Sequence, residues 1–258
     1  MVDGAGVGIR ALGGLEYPCG RVWETPSCHT RHKTAQPFTQ KPRLLLRMVP
    51  TTQILISMLH FDAVPHPVAA LLRRLSPYPA LAGFALGGGT SLALRAGHRL
   101  SVDLDFFTEE EFQPEGLEER LGLVGATILS VSRNSLTLET GGVKVDLLRH
   151  SYKNLRPHEE IEGVRLVSLP DLAAMKLNAI ANRGSKKDFY DVVELQKCYA
   201  LPEMLEFFAE KYPHTDPFAV IRSLAWFEDA ESEPDPVALN ELSWVDAKCL
   251  VLKAVSKL

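Results

Sequence analysis

The chain has 258 residues, 28 Lys and Arg against 32 Asp and Glu for a net charge of −4, 46% apolar and 23% charged residues. That composition can bury a real core and excludes a disordered or fibrous chain, and no run approaches the ~20 consecutive apolar residues of a membrane span. The charge balance excludes a uniformly basic surface but not a local basic groove, and four scattered cysteines, Cys19, Cys28, Cys198 and Cys249, make no disulfide framework and point to a reducing cytosol.

Residues 1–57 differ in texture from the rest. Residues 1–50 hold six Gly, five Pro and seven Lys or Arg against three acids, with no sustained period of 2 or 3.6. A targeting segment, a disordered basic arm and sequence translated upstream of the natural start compete for this stretch. The third is preferred: Met1–Gly20 lacks the apolar middle of a secretory signal, and Met48 and Met58 both offer internal starts. Cys19, Cys28, His29 and His32 match no common zinc-ligand spacing. Without residues 1–57 the chain carries 21 basic and 29 acidic residues, a net of −8. Deleting them is expected to leave fold and activity intact.

From His66 the pattern is globular. Val68–Leu75 predicts an amphipathic helix, and Phe84–Leu86 a short buried strand ending in Gly87-Gly88-Gly89. Thr90–Ala96 predicts a helix and Val102–Phe107 an alternating strand, with Asp103 and Asp105 on one face and Val102, Leu104 and Phe106 on the other. Pro114–Leu121 predicts a helix. Thr127–Ser132, Leu136–Thr140 and Val143–Leu148 predict three consecutive strands joined by Arg133-Asn134 and Gly141-Gly142, with Asp146 on the polar side of the third.

The second half is helical. Ser168-Leu169-Pro170-Asp171 carries a Ser cap with an acid three residues on and opens a helix over Leu169–Asn182, which Gly184 ends. Lys186–Tyr199, Pro202–Lys211, Pro217–Asp229 and Ser243–Lys257 predict further helices between Pro-rich breaks. The organisation is thus an α/β core over 58–167 and a helical portion over 168–258 that contributes to the site, with no internal repeat.

Gly87-Gly88-Gly89-Thr90-Ser91 lies between a strand and a helix, where glycines admit a ligand close to the backbone and a helix start offers free N–H groups to an anion. A tight turn would look the same. Asp103 and Asp105, two apart on one strand, face the same way and can share hard cations, and Asp146 brings a third carboxylate from another strand. A largely apolar strand carries carboxylates at a cost unless they have partners, so the three point to metal-assisted phosphoryl transfer. On the helix opened by Ser168, Lys176 and Arg183 fall in the same arc as Leu172, Ala179 and Ile180; on the next, Asp188 shares its arc with Val192, Leu195 and Tyr199, and Asp191 lies at the margin. These charges either neutralise phosphate or pair with one another, and both can hold.

The run Phe84-x-Leu-Gly-Gly-Gly-Thr-Ser-Leu-Ala-Leu, then Gly97-His98-Arg99-Leu100-Ser101-Val102-Asp103-Leu104-Asp105-Phe106-Phe107, resembles the AbiEii/AbiGii toxin family of bacterial nucleotidyltransferases, within the DNA polymerase β-like superfamily. Leu169-x-Asp171-Leu172-Ala173-Ala174-Met175-Lys176-Leu177 and Arg183-Gly184-x-x-Lys187-Asp188-Phe189-Tyr190-Asp191 continue the resemblance. It implies an α+β fold, a small mixed sheet flanked by helices and followed by a helical C-terminal portion. It also implies transfer of a nucleoside monophosphate from an NTP to an acceptor hydroxyl with release of pyrophosphate. By resemblance, Gly88 and Gly89 with Thr90 or Ser91 hold the triphosphate, and Asp103, Asp105 and Asp146 bind two Mg²⁺. Asp146 also helps deprotonate the acceptor, Lys176 and Arg183 neutralise phosphate, and Asp188, or alternatively Asp191, is the later acid. The superfamily often has Gly-Ser at the turn where this chain has Gly-Gly-Thr. The resemblance implies a toxin with a cognate antitoxin, acting on RNA such as the tRNA 3′ end. Arg95, His98, Arg99, Arg149, Lys153, Arg156, Lys186 and Lys187 are candidates for RNA phosphates, or for ordinary solvated surface.

Two rival functions remain at this level: a non-catalytic nucleotide- or partner-binding scaffold, against which the intact Asp103, Asp105, Asp146, Lys176 and Asp188 count, and a metal-dependent phosphohydrolase, which the glycine turn ahead of Asp103 disfavours.

Overall fold

The computed structural model describes residues 58–258. The expectations for residues 1–57, the zinc question included, lie outside the described residues.

A seven-stranded mixed sheet has the order β3-β4-β5-β2-β1-β7-β6. Its strands are β1 Ala85–Leu86, β2 Leu104–Thr108, β3 Thr127–Ser132, β4 Ser135–Thr140, β5 Val143–Arg149, β6 Glu159–Ile161 and β7 Val164–Leu166. β3, β4 and β5 form an antiparallel meander whose turns take positive φ at Asn134 (62°), Gly141 (57°) and Gly142 (75°), which two-residue hairpin loops favour. β5 runs parallel to β2, and β2 antiparallel to β1.

Strand alternation divides the sheet into two faces. Leu104 and Phe106 of β2, Leu136 and Leu138 of β4, and Val145 and Leu147 of β5 point into a core that α1 (His66–Leu75) closes with Val68, Leu71, Leu72 and Leu75. The residues between them on β2 and β5, Asp105, Phe107, Asp146 and Leu148, point to the other face. α2 (Gly88–Ala96) follows β1, and α3 (Leu117–Arg120) leads to the meander.

The C-terminal helices are α4 (Leu169–Asn182), α5 (Lys186–Leu195), α6 (Leu201–Lys211), α7 (Pro217–Leu224), α8 (Glu228–Glu231) and α9 (Trp244–Val255). α4 packs against α5, α6 and α7 over a second apolar cluster that includes Leu177, Phe189, Met204, Phe208 and Trp244. Ser168 begins α4 as expected: its Oγ accepts from the Asp171 amide and donates to Asp171 Oδ2 at 2.6 Å, and Ser243 does the same with Asp246 ahead of α9.

Several sequence expectations change. β2 starts at Leu104, so Asp103 precedes the strand, and Val102 is 55% exposed instead of buried. The helix expected over 114–121 is the short α3, that over 186–199 stops at Leu195, and that over 217–229 breaks into α7 and α8. β6 and β7 had no counterpart in the sequence reading. No helix among the described residues is long and apolar enough to cross a membrane.

Candidate active site

The second face of the sheet, the start of α2 and the flank of α4 enclose a cleft of about 1000 Å³. Asp105 and Asp146 stand side by side in register on parallel β2 and β5, and Asp103 lies just ahead on the same wall. The β1–α2 turn approaches this row closely. Gly88 takes φ +61°, and a Cβ there would lie 2.2 Å from Asp105 Oδ2, so only glycine admits this approach. A Cβ at Gly89 would meet the Arg99 guanidinium at 2.2 Å.

The two hydroxyls of the turn face inward. Thr90 Oγ1 donates to the Asp103 carbonyl and bonds Ser101 Oγ at 2.8 Å, and Ser91 Oγ accepts from Arg95 Nη1 at 3.0 Å. Both are buried, so they fix the turn to the Asp103 segment and to Arg95. Gly88 and Gly89 are what this turn presents to the cleft.

The carboxylates differ in their partners. Asp146 accepts from Thr137 Oγ1 and Lys144 Nζ, both at 2.6 Å, and is 8% exposed, buried instead of solvated on an open polar side. Asp105 has no side-chain hydrogen bond or ion pair among the described residues. Burial first, then the neighbouring Asp146 and Asp103, push its carboxyl above the usual range, with partial relief from Lys176 and Lys144. Clustered, mutually repelling carboxylate oxygens are hard donors that fit a divalent cation of the Mg²⁺ type. As they stand, no three His, Cys, Asp or Glu side chains among the described residues converge on one metal position, and Lys144 supplies the positive charge at Asp146.

Behind the cleft lies a buried ionic network. Asp191 receives Arg99 Nε at 2.7 Å, Arg99 Nη2 at 2.8 Å, His98 Nε2 at 2.8 Å and Lys176 Nζ at 2.5 Å. Asp188 receives Arg183 at 2.8 and 2.9 Å, Ser185 Oγ at 2.6 Å and Lys176 at 3.2 Å. Burial alone would raise Asp188, but Arg183, Lys176 and Ser185 outweigh it and hold its carboxyl at about 2. Arg99, Lys176 and Arg183 are three fixed cations against two carboxylates, which leaves a positive excess beside the cleft that all three line.

The structure therefore brings Gly88, Gly89, Asp103, Asp105, Asp146, Lys176 and Arg183 to one cleft and sets Asp188 behind them. It removes part of the expected basic groove. Arg95 is buried against Val167 O and Glu159, His98 and Arg99 against Asp191, and Lys186 against Asp235. Arg149 pairs with Glu111 and Arg156 with Glu210, while Lys153 and Lys187 are exposed, Lys187 on the cleft. Sequence reasoning missed the tie from His98 and Arg99 to Asp191, and missed Lys144. The period-2 alternation of β5 was the one available signal, since it puts Lys144 on the same face as Asp146.

The sequence pattern of the family described as "Nucleotidyl transferase AbiEii toxin, Type IV TA system" matches residues 70–247. The chain is 36% identical over 157 residues to the uncharacterized protein aq_aa25 of Aquifex aeolicus (strain VF5), covering 58% of this chain and 76% of that protein. Among solved structures, it is similar to an H. pylori chain assigned as a nucleotidyltransferase, with TM-score 0.48 and 16% identity over 74% of this chain and 95% of that one. It is also similar to JHP933 from Helicobacter pylori, with TM-score 0.46 and 17% identity over 78% and 94%.

Proposed function

The chain belongs to the AbiEii family of nucleotidyl transferase toxins, and from that premise we propose that it moves a nucleoside monophosphate from an NTP to a hydroxyl of an RNA acceptor, such as a tRNA 3′ end, in a cytoplasmic toxin held in check by a cognate antitoxin. The observation that carries this reading is the row Asp103, Asp105 and Asp146 set against the Gly88-Gly89 start of α2.

In this reading, Asp103, Asp105 and Asp146 would hold two Mg²⁺, whose chemistry when bound would be to neutralise charge on the phosphate oxygens. The first N–H groups of α2, at Gly88 and Gly89, receive the triphosphate tail. Lys176 and Arg183 add positive charge along the same wall, and Asp188 and Asp191 hold them in place. Thr90 and Ser91 shape the turn through their inward bonds. Asp146, held by Thr137 at Oδ1 and by Lys144 at Oδ2, would take the proton of the attacking hydroxyl. Exposed Lys187 and Lys153 offer contacts to an acceptor's phosphates.

The test is incubation of the full chain with each α-labelled NTP, Mg²⁺ and total bacterial RNA, beside an Asp103→Ala, Asp105→Ala double variant. Label in tRNA-sized RNA that vanishes in the variant supports the proposal. Inorganic phosphate as the sole product would indicate a phosphohydrolase instead, and NTP binding without any product a scaffold.

A further inference from the structure

We propose that the end of the cleft beyond the carboxylates, at the C-terminal ends of β2 and β5, is a seat for one nucleobase with the His150 ring at its centre; the proposal rests on the nucleotidyl-transfer reading.

The sequence of side chains along the cleft face is the first reason. On β5 and just past it this face reads Lys144, Asp146, Leu148 and His150, and on β2 and the residues before it Asp103, Asp105 and Phe107, with Asp105 beside Asp146 and Phe107 beside Leu148. Two residues advance a strand by about 7 Å. The wall therefore turns from charged to apolar within one such step, a spacing of the order of one ribose. α4 repeats the change from the opposite side: Leu172 and Met175 pack with Phe107 in one small apolar cluster, and Lys176 and Arg183 follow toward the carboxylates. A ligand that fits both walls is anionic at one end and flat and apolar at the other.

The ring itself is held in place. Phe107 and Tyr212 meet His150 nearly at right angles, at 80° and 85° with centroids 6.1 and 5.9 Å away, Tyr152 lies tilted at 48° and 5.2 Å, and the Tyr212 hydroxyl lies 3.3 Å from His150 Nε2. The loop after His150 is tied down as well: the Leu155 and Arg156 amides donate to Asp171, while Lys211 Nζ reaches Asp171 at 2.7 Å and the Lys153 carbonyl at 3.1 Å. Burial, then the Lys211 ammonium, push the imidazole down to about 4. At neutral pH the ring is uncharged, so it brings no positive charge to a phosphate, and it presents an aromatic ring against which a base can pack.

The base can come from the NTP or from the terminal nucleotide of the acceptor, and binding measurements on the full chain in Mg²⁺ separate the two. The probes are ATP, GTP, CTP and UTP, inorganic triphosphate, and a short single-stranded RNA, with thermal melts confirming that each variant folds. If the seat holds the NTP base, His150→Ala weakens NTP binding about tenfold or more and leaves triphosphate unchanged, since stacking on an aromatic ring contributes that order of affinity. His150→Phe, which keeps a ring, retains most of the affinity. Met175→Ala repeats the selective loss without touching the Tyr212 hydrogen bond. A loss confined to the RNA assigns the seat to the acceptor's base and supports the proposal equally. Unchanged binding of every probe, or NTP and triphosphate falling together, overturns it. Asp105→Asn tests the underlying reading separately: continued label transfer by that variant would sink nucleotidyl transfer at this site, whereas an inactive Asp105→Asn beside a neutral His150→Ala would sink the base seat alone.

Discussion

Arg99 holds Asp191 through two parallel hydrogen bonds, Nε to Oδ1 at 2.7 Å and Nη2 to Oδ2 at 2.8 Å, with both side chains buried. The guanidinium also lies against Gly89, so one arginine joins the glycine turn, the segment leading to Asp103 and the middle of α5. With His98 and Lys176 on the same carboxylate, Asp191 organises the back of the cleft.

Asp191→Asn leaves buried Arg99 and His98 without their anion and Lys176 with Asp188 alone. Breaking one member of a buried pair costs about 3–5 kcal/mol, because the remaining charge stays desolvated. The expected result is a destabilisation of that order in urea unfolding at pH 7. Asp191→Asn together with Arg99→Met is expected to be less destabilised than the sum of the single variants, as coupled neighbours are. Strict additivity would show that the two do not act as a pair.

Asp188 gives a pH dependence of definite sign. Its folded-state value, about 2, lies below the ordinary aspartate value near 3.8. Its contribution is therefore fully present above pH 4 and is lost as pH falls from there through 2. The size is about 2 kcal/mol, one pKa unit being about 1.4 kcal/mol. Unfolding midpoints at pH 5 and pH 2.5 should drop less in Arg183→Ala than in the parent chain, because the alanine variant has already lost the partner that holds Asp188 down. Equal drops would place the acid sensitivity elsewhere.

Much of this architecture is written locally in the chain. α4 has the bounds the sequence predicts because Ser168 caps it and Gly184, at φ +57°, ends it, and the meander is legible because Asn134, Gly141 and Gly142 mark its turns. β6 and β7 are hard to read for a physical reason: each has three residues, too few to show alternation, and of the two left-handed residues that join them, Glu162 at φ +50° and Gly163 at +76°, only the glycine is a turn signal. The charges of α4 and α5 that stood out on apolar arcs, Lys176, Asp188 and Arg183, do meet at one place. The tie of Arg99, in the segment between α2 and β2, to Asp191 on α5 spans 92 positions and leaves no local trace. Partners 64 to 93 positions away explain why Arg95, His98 and Arg99 read as a surface groove in the sequence.

Gly88→Ala should disable the site at a modest cost in stability. A left-handed φ in a non-glycine residue costs on the order of 1–3 kcal/mol, and the new Cβ would stand 2.2 Å from Asp105 Oδ2, so the carboxylate must move. Gly163→Ala is the control: its φ is +76° and nothing lies within 4 Å of the added Cβ. Both variants should lose stability in urea, Gly88→Ala the more because it also displaces the Asp105 carboxylate, and only Gly88→Ala should lose nucleotide transfer. Full activity in Gly88→Ala would detach the turn from the chemistry.

Asp105 should behave in the opposite sense to Asp188. Burial first, then Asp146 and Asp103, raise its folded-state value above the ordinary one, with Lys176 opposing. A carboxyl raised by folding subtracts stability once pH climbs past its unfolded value, so at pH 7 Asp105 is a burden on the fold. Asp105→Asn removes that repulsion and keeps the shape, and is expected to stabilise the chain at pH 7 by on the order of 1 kcal/mol, the gap closing toward pH 4. Mg²⁺ should act differently on the two proteins. A cation bound only by the folded state stabilises it by linkage, so the melting temperature of the parent chain should rise with added Mg²⁺ and fall back with EDTA, and that of Asp105→Asn should barely move. The variant should also lose nucleotide transfer, because the charge that burdens the fold is the one proposed to hold the cation. A less stable Asp105→Asn at neutral pH would mean that the carboxylate is satisfied instead of strained, and equal Mg²⁺ shifts in the two proteins would remove Asp105 from the cation site.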